Sequence, residues 1–265
     1  MPTDSTNVYD RILCVGDSLT QHGWDVTKHG WTAQLSQAYL RRLDVVNRGF
    51  SGFNTRWALS VLPKTIIESQ DSRLRLVTIF YGANDAQFAG YKCHVPLDEF
   101  KSNLKQLASL FRDQTSQLYV PDDRILLITP PPVGDKLFKK DCDEDDEPID
   151  RCRQTTEPYA IAVRQVASEL NLPVVDLWAA MESKVQQLQA SSPEELEYDG
   201  YEEFLWDGLH LNANGNDLLF SLVTNTINSH FPELVPESMP FVIPGFRDFE
   251  SQSELLQMLE AKRQT

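Results

Sequence analysis

Five short apolar runs alternate along this chain with longer segments in which apolar residues recur at helical spacing. Short runs of this kind, bounded by glycine, proline or polar residues, are typical of buried strands. We predict strands at residues 11–15, 44–47, 74–81, 124–129 and 173–177. We predict helices at residues 31–43, 54–68, 96–111, 155–170, 178–190 and 216–230. Because such alternation is typical of parallel strands joined by helices, we expect a parallel sheet with helices on both faces and right-handed crossovers.

Two local features bear on the helix boundaries. Pro63 lies inside the predicted helix at 54–68 and is a candidate break, because proline lacks the backbone N–H donor. Asn212 and Asn214 are both candidates to cap the last helix, because an asparagine side chain can accept from the unpaired N–H groups at a helix start.

The length and composition predict a single domain over residues 1–265. A chain of 265 residues with 41% apolar residues is long enough to bury one large core, which we place at about residues 9–230. The remainder, 231–265, is expected to be an extension. Its proline-rich apolar part, 231–249, is expected to pack on the body or on a second subunit.

A formal net charge of −15 disfavours nucleic acids and anionic membrane surfaces as partners, because both carry phosphate groups. No apolar run approaches the roughly 20 residues that span a bilayer, and the N-terminal ten residues are polar, so we expect no membrane anchor, no secretory signal and a cytoplasmic protein. Much of the negative charge is local. The acidic runs at 141–147 and 194–199 are predicted to be solvated loops.

Four cysteines, at positions 14, 93, 142 and 152, lack the spacing of a disulfide framework or a zinc site. Cys14 lies in the first predicted strand and is expected to be a small buried side chain. The cysteines therefore do not indicate a zinc site. We expect neither a metal nor an organic cofactor.

The candidate nucleophile is Ser18, which follows the first strand in the turn Gly16-Asp17-Ser18-Leu19. Ligands bind beyond the carboxyl ends of parallel strands, although a serine there can also cap a helix or bind phosphate. A serine hydroxyl needs a base, and His210 is the candidate. Asp207, three residues earlier, can orient the imidazole; the pair Asp207-x-x-His210 is equally compatible with an ion pair, a helix cap or a metal site.

Two further turns can supply donors to a negatively charged reaction intermediate. Gly52 follows the second strand, and Asn84 follows the third within Gly82-Ala83-Asn84-Asp85. A backbone N–H at Gly52 and the amide of Asn84 are suitable oxyanion donors, although glycine and asparagine are also ordinary turn residues. The co-occurrence of nucleophile, donors and base beyond the same sheet favours catalysis.

In these four blocks the chain resembles the SGNH, or GDSL-type, esterase and lipase family, over residues 11–215. The longer stretches at 47–59, 79–86, 95–97 and 207–211 are similar to its isoamyl acetate-hydrolysing esterase branch. The resemblance implies a flavodoxin-like three-layer α/β/α sandwich with a central parallel five-stranded sheet. It implies a catalytic triad of Ser18, Asp207 and His210, and an oxyanion hole formed by Ser18, Gly52 and Asn84.

The resemblance also implies a substrate class, namely short-chain carboxylic esters such as acetate esters of small alcohols, and it suggests a homodimer. Four aromatic residues flank the blocks and are candidates for an alcohol pocket or for core packing: Trp24, Phe53, Phe88 and Trp206. The chain departs from the family pattern in the acidic stretch at about 135–150, which looks inserted near the mouth of the site and leaves the acyl and alcohol preference open.

Three alternative functions remain. Another activity of the same machinery, such as a lysophospholipase, a thioesterase or a carbohydrate deacetylase, would use the same residues. A non-catalytic binding module would lack a member of the triad, and none is missing. A phosphate binder is disfavoured, because the turn at Gly16 lacks the lysine of a P-loop and the GxGxxG spacing.

Overall fold

The computed structural model describes residues 9–65, 72–116, 118–191, 194 and 196–262. Within these residues one sheet of five parallel strands forms the centre of the molecule, in the order β2-β1-β3-β4-β5. The strands are β1 Asp10–Gly16, β2 Leu43–Gly49, β3 Leu74–Phe80, β4 Ile125–Ile128 and β5 Val174–Val175. This order is the flavodoxin-like one, which confirms the predicted fold class.

Helices cover both faces of the sheet. They are α1 Ser18–Gln21, α2 Trp31–Ala38, α3 Thr55–Thr65, α4 Leu97–Arg112, α5 Asp135–Glu144, α6 Arg153–Leu170, α7 Leu177–Ser191, α8 Ala213–His230 and α9 Gln252–Lys262. Successive strand side chains point to opposite faces, so Ile12 and Cys14 pack with α2, α5, α7 and α8. Leu13 and Val15 pack with α3, α4 and α6. The result is the predicted three-layer sandwich, with Cys14 buried as expected.

The helix predicted at 31–43 is shorter in the structure, and the helix predicted at 54–68 is not broken at Pro63. The helix predicted at 31–43 ends at Ala38, and β2 begins at Leu43 after Arg41 takes a left-handed conformation at φ 67°. Pro63 does not break α3, because the helix continues past it to Thr65, the last described residue of this segment. The rest of that prediction, residues 66–68, lies outside the described residues.

The first acidic run is not the loop that was predicted, because α5 extends into it as far as Glu144. The charged residues form one face of this helix, and Leu137, Phe138 and Cys142 are buried on the other. Lys139 pairs with Asp143 one turn later, which adds a small stabilisation. The run is nevertheless solvated, since residues 143–149 are exposed.

The C-terminal segment lies against the body of the same chain. Leu234 is fully buried, and its carbonyl accepts a hydrogen bond of 2.6 Å from the hydroxyl of Tyr39. Arg42 donates to the carbonyl of Met239, and Arg41 donates to that of Ile243. No helix in the described part of the chain is both long and apolar enough to cross a membrane.

Candidate active site

Ser18 is placed by a tight turn between β1 and α1. A Cβ on Gly16 would lie 2.6 Å from the carbonyl oxygen of Phe80, so only glycine lets β1 end this close to β3. Asp17 then caps α1, and its Oδ1 accepts from the N–H of Leu19 at 2.9 Å. Ser18 is the first residue of this short helix and is 5% exposed. Because β1 ends at Gly16, the hydroxyl of Ser18 lies at the carboxyl edge of the sheet.

Ser18, His210 and Asp207 form one continuous chain of hydrogen bonds. The Nε2 atom of His210 lies 2.8 Å from the Oγ of Ser18, and its Nδ1 lies 2.5 Å from Oδ2 of Asp207. The other oxygen of Asp207 accepts from the backbone N–H groups of Leu209 and His210. Burial raises the pKa of Asp207, but the hydrogen bonds and the charge of His210 outweigh burial and hold that pKa below its usual value. An ionised Asp207 therefore favours the tautomer of His210 whose Nε2 can accept the serine proton.

Two aromatic side chains contact the ring of His210. The indole of Trp206 stacks on it at a centroid distance of 5.6 Å and an angle of 18°, and the imidazole of His22 meets it edge-on at 5.5 Å. Partial burial and the charge of His210 lower the pKa of His22, which favours its neutral form beside the base. His22 stands in no motif that marks it as a site residue in the sequence.

The candidate oxyanion donors come from the turns after β2 and β3. Gly52 has φ +77°, a left-handed conformation that favours glycine, and in the described part of the chain its N–H faces no hydrogen-bond acceptor. The β2 turn is tied to the serine turn, because Phe50 N–H donates to the carbonyl of Gly16 at 3.0 Å. The amide of Asn84 donates from Nδ2 to the carbonyl of Phe53 at 3.0 Å, which links the third turn to the second.

The four predicted pocket residues are not equivalent. Trp206 contacts the candidate base directly, and Phe53 lies in the candidate oxyanion turn with its ring 5.7 Å from that of Trp57. Phe88 packs against Tyr91, and Trp24 is 44% exposed at the end of the short helical turn His22–Trp24. Among the described residues, neither Phe88 nor Trp24 makes a ring contact with His210.

Two carboxyl groups beneath the site were not assigned a role from the sequence. Asp17 and Asp85 are fully buried, and burial raises the pKa of each to about 7. Oδ1 of Asp85 accepts from the backbone N–H and the hydroxyl of Thr55. Within the described residues, Oδ2 of both carboxyls and the hydroxyl of Tyr81 have no hydrogen-bond partner.

Arg151 is a further residue that the sequence analysis missed. It is buried behind Asn84, and its guanidinium donates to the carbonyl of Ala83 at 2.8 Å. The sequence offers little to mark it, only an arginine that follows Asp150 four residues after the acidic run at 141–147. Across the described ranges, no group of three histidine, cysteine, aspartate or glutamate side chains is arranged to hold a metal ion.

A flavodoxin-like sheet with a serine, an imidazole and a carboxylate hydrogen-bonded in sequence at its carboxyl edge is an arrangement that serine hydrolases use. Comparison with known proteins agrees. The family of GDSL-like lipases and acylhydrolases matches residues 14–218, and the chain belongs to this family. It is a carboxylic ester hydrolase.

Relatives of similar length carry the same family resemblance. The isoamyl acetate-hydrolyzing esterase 1 homolog of Bos taurus is 36% identical over 253 residues, which cover 94% of this chain and 92% of the relative. The isoamyl acetate-hydrolyzing esterase of Saccharomyces cerevisiae is 29% identical, with 91% and 95% covered. Among solved structures, a lipase/acylhydrolase from Enterococcus faecalis superimposes with a TM-score of 0.57 at 25% identity, covering 83% of this chain and 96% of that one.

Proposed function

We propose that this protein is a serine esterase that hydrolyses short-chain carboxylic esters, and in particular acetate esters of small alcohols such as isoamyl acetate. The observation that carries the proposal is the hydrogen-bonded series from Ser18 through His210 to Asp207. The substrate class is supported by the relatives that cover almost the whole chain and are named for isoamyl acetate hydrolysis. Lysophospholipase, thioesterase and carbohydrate deacetylase activities are not favoured by these relatives.

In the first half-reaction Ser18 Oγ attacks the ester carbonyl carbon while His210 Nε2 takes its proton. The carbonyl oxygen becomes negatively charged, and the N–H groups of Ser18 and Gly52 and the amide of Asn84 donate to it. His210 then gives its proton to the alcohol oxygen as the bond between that oxygen and the carbonyl carbon breaks. The acyl group remains on Ser18.

In the second half-reaction a water molecule attacks the acyl-enzyme while His210 takes one of its protons. The intermediate collapses, the bond to Ser18 Oγ breaks, and His210 returns the proton to the serine. Asp207 stays ionised throughout and stabilises the imidazolium in both steps. The four aromatic residues Trp24, Phe53, Phe88 and Trp206 are proposed to line the alcohol pocket.

The proposal also covers the domain organisation, cofactors, location and oligomeric state of the protein. We propose a single domain with no metal or organic cofactor, no stable membrane anchor, a cytoplasmic location, and a homodimer formed with the help of residues 231–265. Light scattering on the full chain and on a chain lacking 231–265 tests the dimer. Equal monomeric masses for both proteins would contradict it.

Ser18→Ala tests the activity itself. We expect it to abolish hydrolysis of p-nitrophenyl acetate with an unchanged circular dichroism spectrum, because it removes the hydroxyl that lies beside the candidate base His210. Labelling with a fluorophosphonate followed by peptide mapping should modify Ser18 in the native protein. Ser60→Ala, which removes an exposed hydroxyl from α3, is the control and should leave turnover and labelling intact. Appreciable turnover in Ser18→Ala would rule out Ser18 as the nucleophile.

The substrate class is tested with p-nitrophenyl esters of increasing acyl length and with acetates of different alcohols. We expect kcat/KM to be highest for acetate and to fall as the acyl chain lengthens. A maximum at long acyl chains would contradict the proposed class while leaving the serine chemistry in place.

A further inference from the structure

We propose that Arg151 is a positioning residue for the reaction: its guanidinium holds the side-chain amide of Asn84 with Nδ2 directed toward the oxyanion. The proposal rests on the role of Asn84 in the proposed function. It also gives a structural role to residues 149–151, which follow the acidic helix α5.

The contacts of Arg151 fix which end of the Asn84 amide faces the protein. Nη1 of Arg151 lies 2.8 Å from the carbonyl oxygen of Ala83 and 3.3 Å from Oδ1 of Asn84. A guanidinium has only donors and stays charged, so the atom of Asn84 that faces it must be the oxygen. The NH₂ group of Asn84 is therefore held on the opposite side, where it donates one hydrogen to Phe53 and keeps the second for the substrate.

A buried ion pair holds Arg151 itself in place. Its Nε and Nη2 atoms donate to the two oxygens of Asp150 at 2.7 and 3.0 Å, in the two-pronged geometry that suits an arginine and a carboxylate. Arg151 is 5% exposed, so this pairing also offsets the cost of burying its charge.

The same pair is fastened to the loop that carries Asn84. The N–H of Phe88 donates to the carbonyl of Asp150 at 2.7 Å, and the side chain of Gln87 donates to the Asp150 carboxylate. Residues 149–151 thus follow α5 as a strap that packs behind the β3 turn. Because both ends of the Asn84 amide are occupied, the amide cannot rotate without breaking a charge-assisted hydrogen bond.

Loss of Arg151 should therefore affect the transition state more than the bound ester. An amide turned by 180° presents Oδ1 to the oxyanion, and the two negative oxygens repel. An oxyanion donor acts on the charge that develops in the reaction, so its misplacement lowers kcat with little change in KM.

The experiment compares Arg151→Met and Arg151→Lys in the full chain, each alone and combined with Asn84→Ala, with p-nitrophenyl acetate as substrate. We expect Arg151→Met to lower kcat by roughly 10- to 100-fold with KM nearly unchanged, and Asn84→Ala to lower kcat by roughly 10²–10³-fold. The double variant should be no slower than Asn84→Ala, because Arg151 acts through the missing amide. Arg151→Lys should recover part of the loss, since an ammonium can donate to Asn84 but cannot also bridge Asp150.

The control is Arg164→Met, which removes another arginine paired with an aspartate through two hydrogen bonds, at 2.7 and 2.9 Å to Asp176, on a part of α6 outside the site. It should lower the melting temperature and leave kcat unchanged. If Arg151→Met is too unstable to purify, Arg151→Lys carries the same comparison.

The outcomes separate this proposal from the proposed function. An equal loss of kcat on removing Arg151 with and without Asn84 means that Arg151 is merely structural and overturns the proposal. A full-activity Asn84→Ala beside an inactive Ser18→Ala also overturns it, and shows that the serine chemistry stands without this donor. An active Ser18→Ala would instead contradict the proposed function.

Discussion

Trp206 contacts the candidate base of this enzyme across a ring face rather than through a hydrogen bond. Its indole stacks on His210, and the ammonium of Lys28 lies 4.0 Å from the centre of the indole ring on Trp206. The backbone adds a second link, since the N–H of Trp206 donates to the carbonyl of His210 at 3.0 Å. The imidazole is thus confined by a stacked ring as well as by its bonds to Ser18 and Asp207.

Trp206→Ala should therefore lower kcat by about 2- to 10-fold, the range expected for loss of one aromatic contact. Trp206→Phe keeps a ring and should retain most of the activity. Steady-state kinetics on p-nitrophenyl acetate measure both.

Trp24→Ala is the matched control, because Trp24 is equally exposed at 44% and has no ring contact with His210 in the described part of the structure. Its effect should be confined to KM, as expected for a pocket residue. If both alanine variants lower kcat equally, stacking on the base is not what makes Trp206 important.

Some residues of the site could be predicted from the sequence, and others could not. Ser18, Asn84 and Asp207 stand in short motifs beyond strands or before a helix, and they could be predicted because these motifs occur together and resemble the blocks of a known family. Arg151 and His22 could not, because their importance depends on which neighbours the folded chain brings to them. A buried arginine looks in sequence like any arginine beside an acidic run.

At the scale of secondary-structure elements, Asp85 joins the turn after β3 to the start of α3. Its Oδ1 accepts from the backbone N–H of Thr55 at 3.0 Å and from the Thr55 hydroxyl at 2.5 Å, while Oδ2 has no partner in the described residues. Burial and the neighbouring Asp17 raise the pKa of Asp85 to about 7. The junction thus keeps its two bonds with either a neutral or a charged acceptor.

This raised pKa predicts a loss of stability with rising pH. A carboxyl group whose pKa is higher in the folded state favours folding while it is protonated, and that contribution disappears between about pH 4, the unfolded value, and about pH 7. Asp85→Asn keeps an oxygen for Thr55 and removes the titration. The variant should therefore gain stability relative to the native chain at pH 8 more than at pH 4.5, as measured by urea unfolding.

Asp176→Asn provides the opposite case. Burial raises the pKa of Asp176, but the hydrogen bonds from Arg164 and Ala179 outweigh it and leave that pKa below the usual value. The contribution of ionised Asp176 to stability is present above about pH 4. Asp176→Asn should therefore lose about the same stability at pH 4.5 as at pH 8. A difference between Asp85→Asn and the native chain that does not depend on pH would contradict the assignment for Asp85.

The elements that the sequence predicted well are those with a clear apolar period, such as β1, β3 and α6. The elements that differ depend on tertiary contacts. α5 is helical because Leu137, Phe138 and Cys142 pack into the core. The many charged residues around them make this helix difficult to predict from the sequence. α2 stops at Ala38 because Tyr39 turns inward to Leu234, nearly two hundred residues away in the chain.

At the scale of the whole molecule, the C-terminal segment has two parts: residues 231–243 pack against the body, and helix α9 is more exposed. Phe231 and Leu234 belong to the core cluster that includes α2 and α8, and Arg41 and Arg42 both lie over the ring of Phe241 at 4.2 and 4.5 Å. Helix α9 is largely exposed over the part whose side chains are described, 252–259. The core therefore includes Leu234, which lies beyond the predicted boundary at about residue 230.

Two truncations separate these parts. A chain ending at residue 230 loses Phe231 and Leu234 from the core, which should cost at least about 2 kcal/mol and lower the melting temperature by roughly 5 °C or more. A chain ending at residue 250 keeps both residues and the contacts of Arg41 and Arg42, so its melting temperature should stay within about 2 °C of the full chain. Differential scanning calorimetry measures both. Equal melting temperatures for the two truncated chains would mean that the segment from Phe231 to Ile243 adds nothing to the stability of the body, despite its buried leucine and its hydrogen bonds to Tyr39, Arg41 and Arg42.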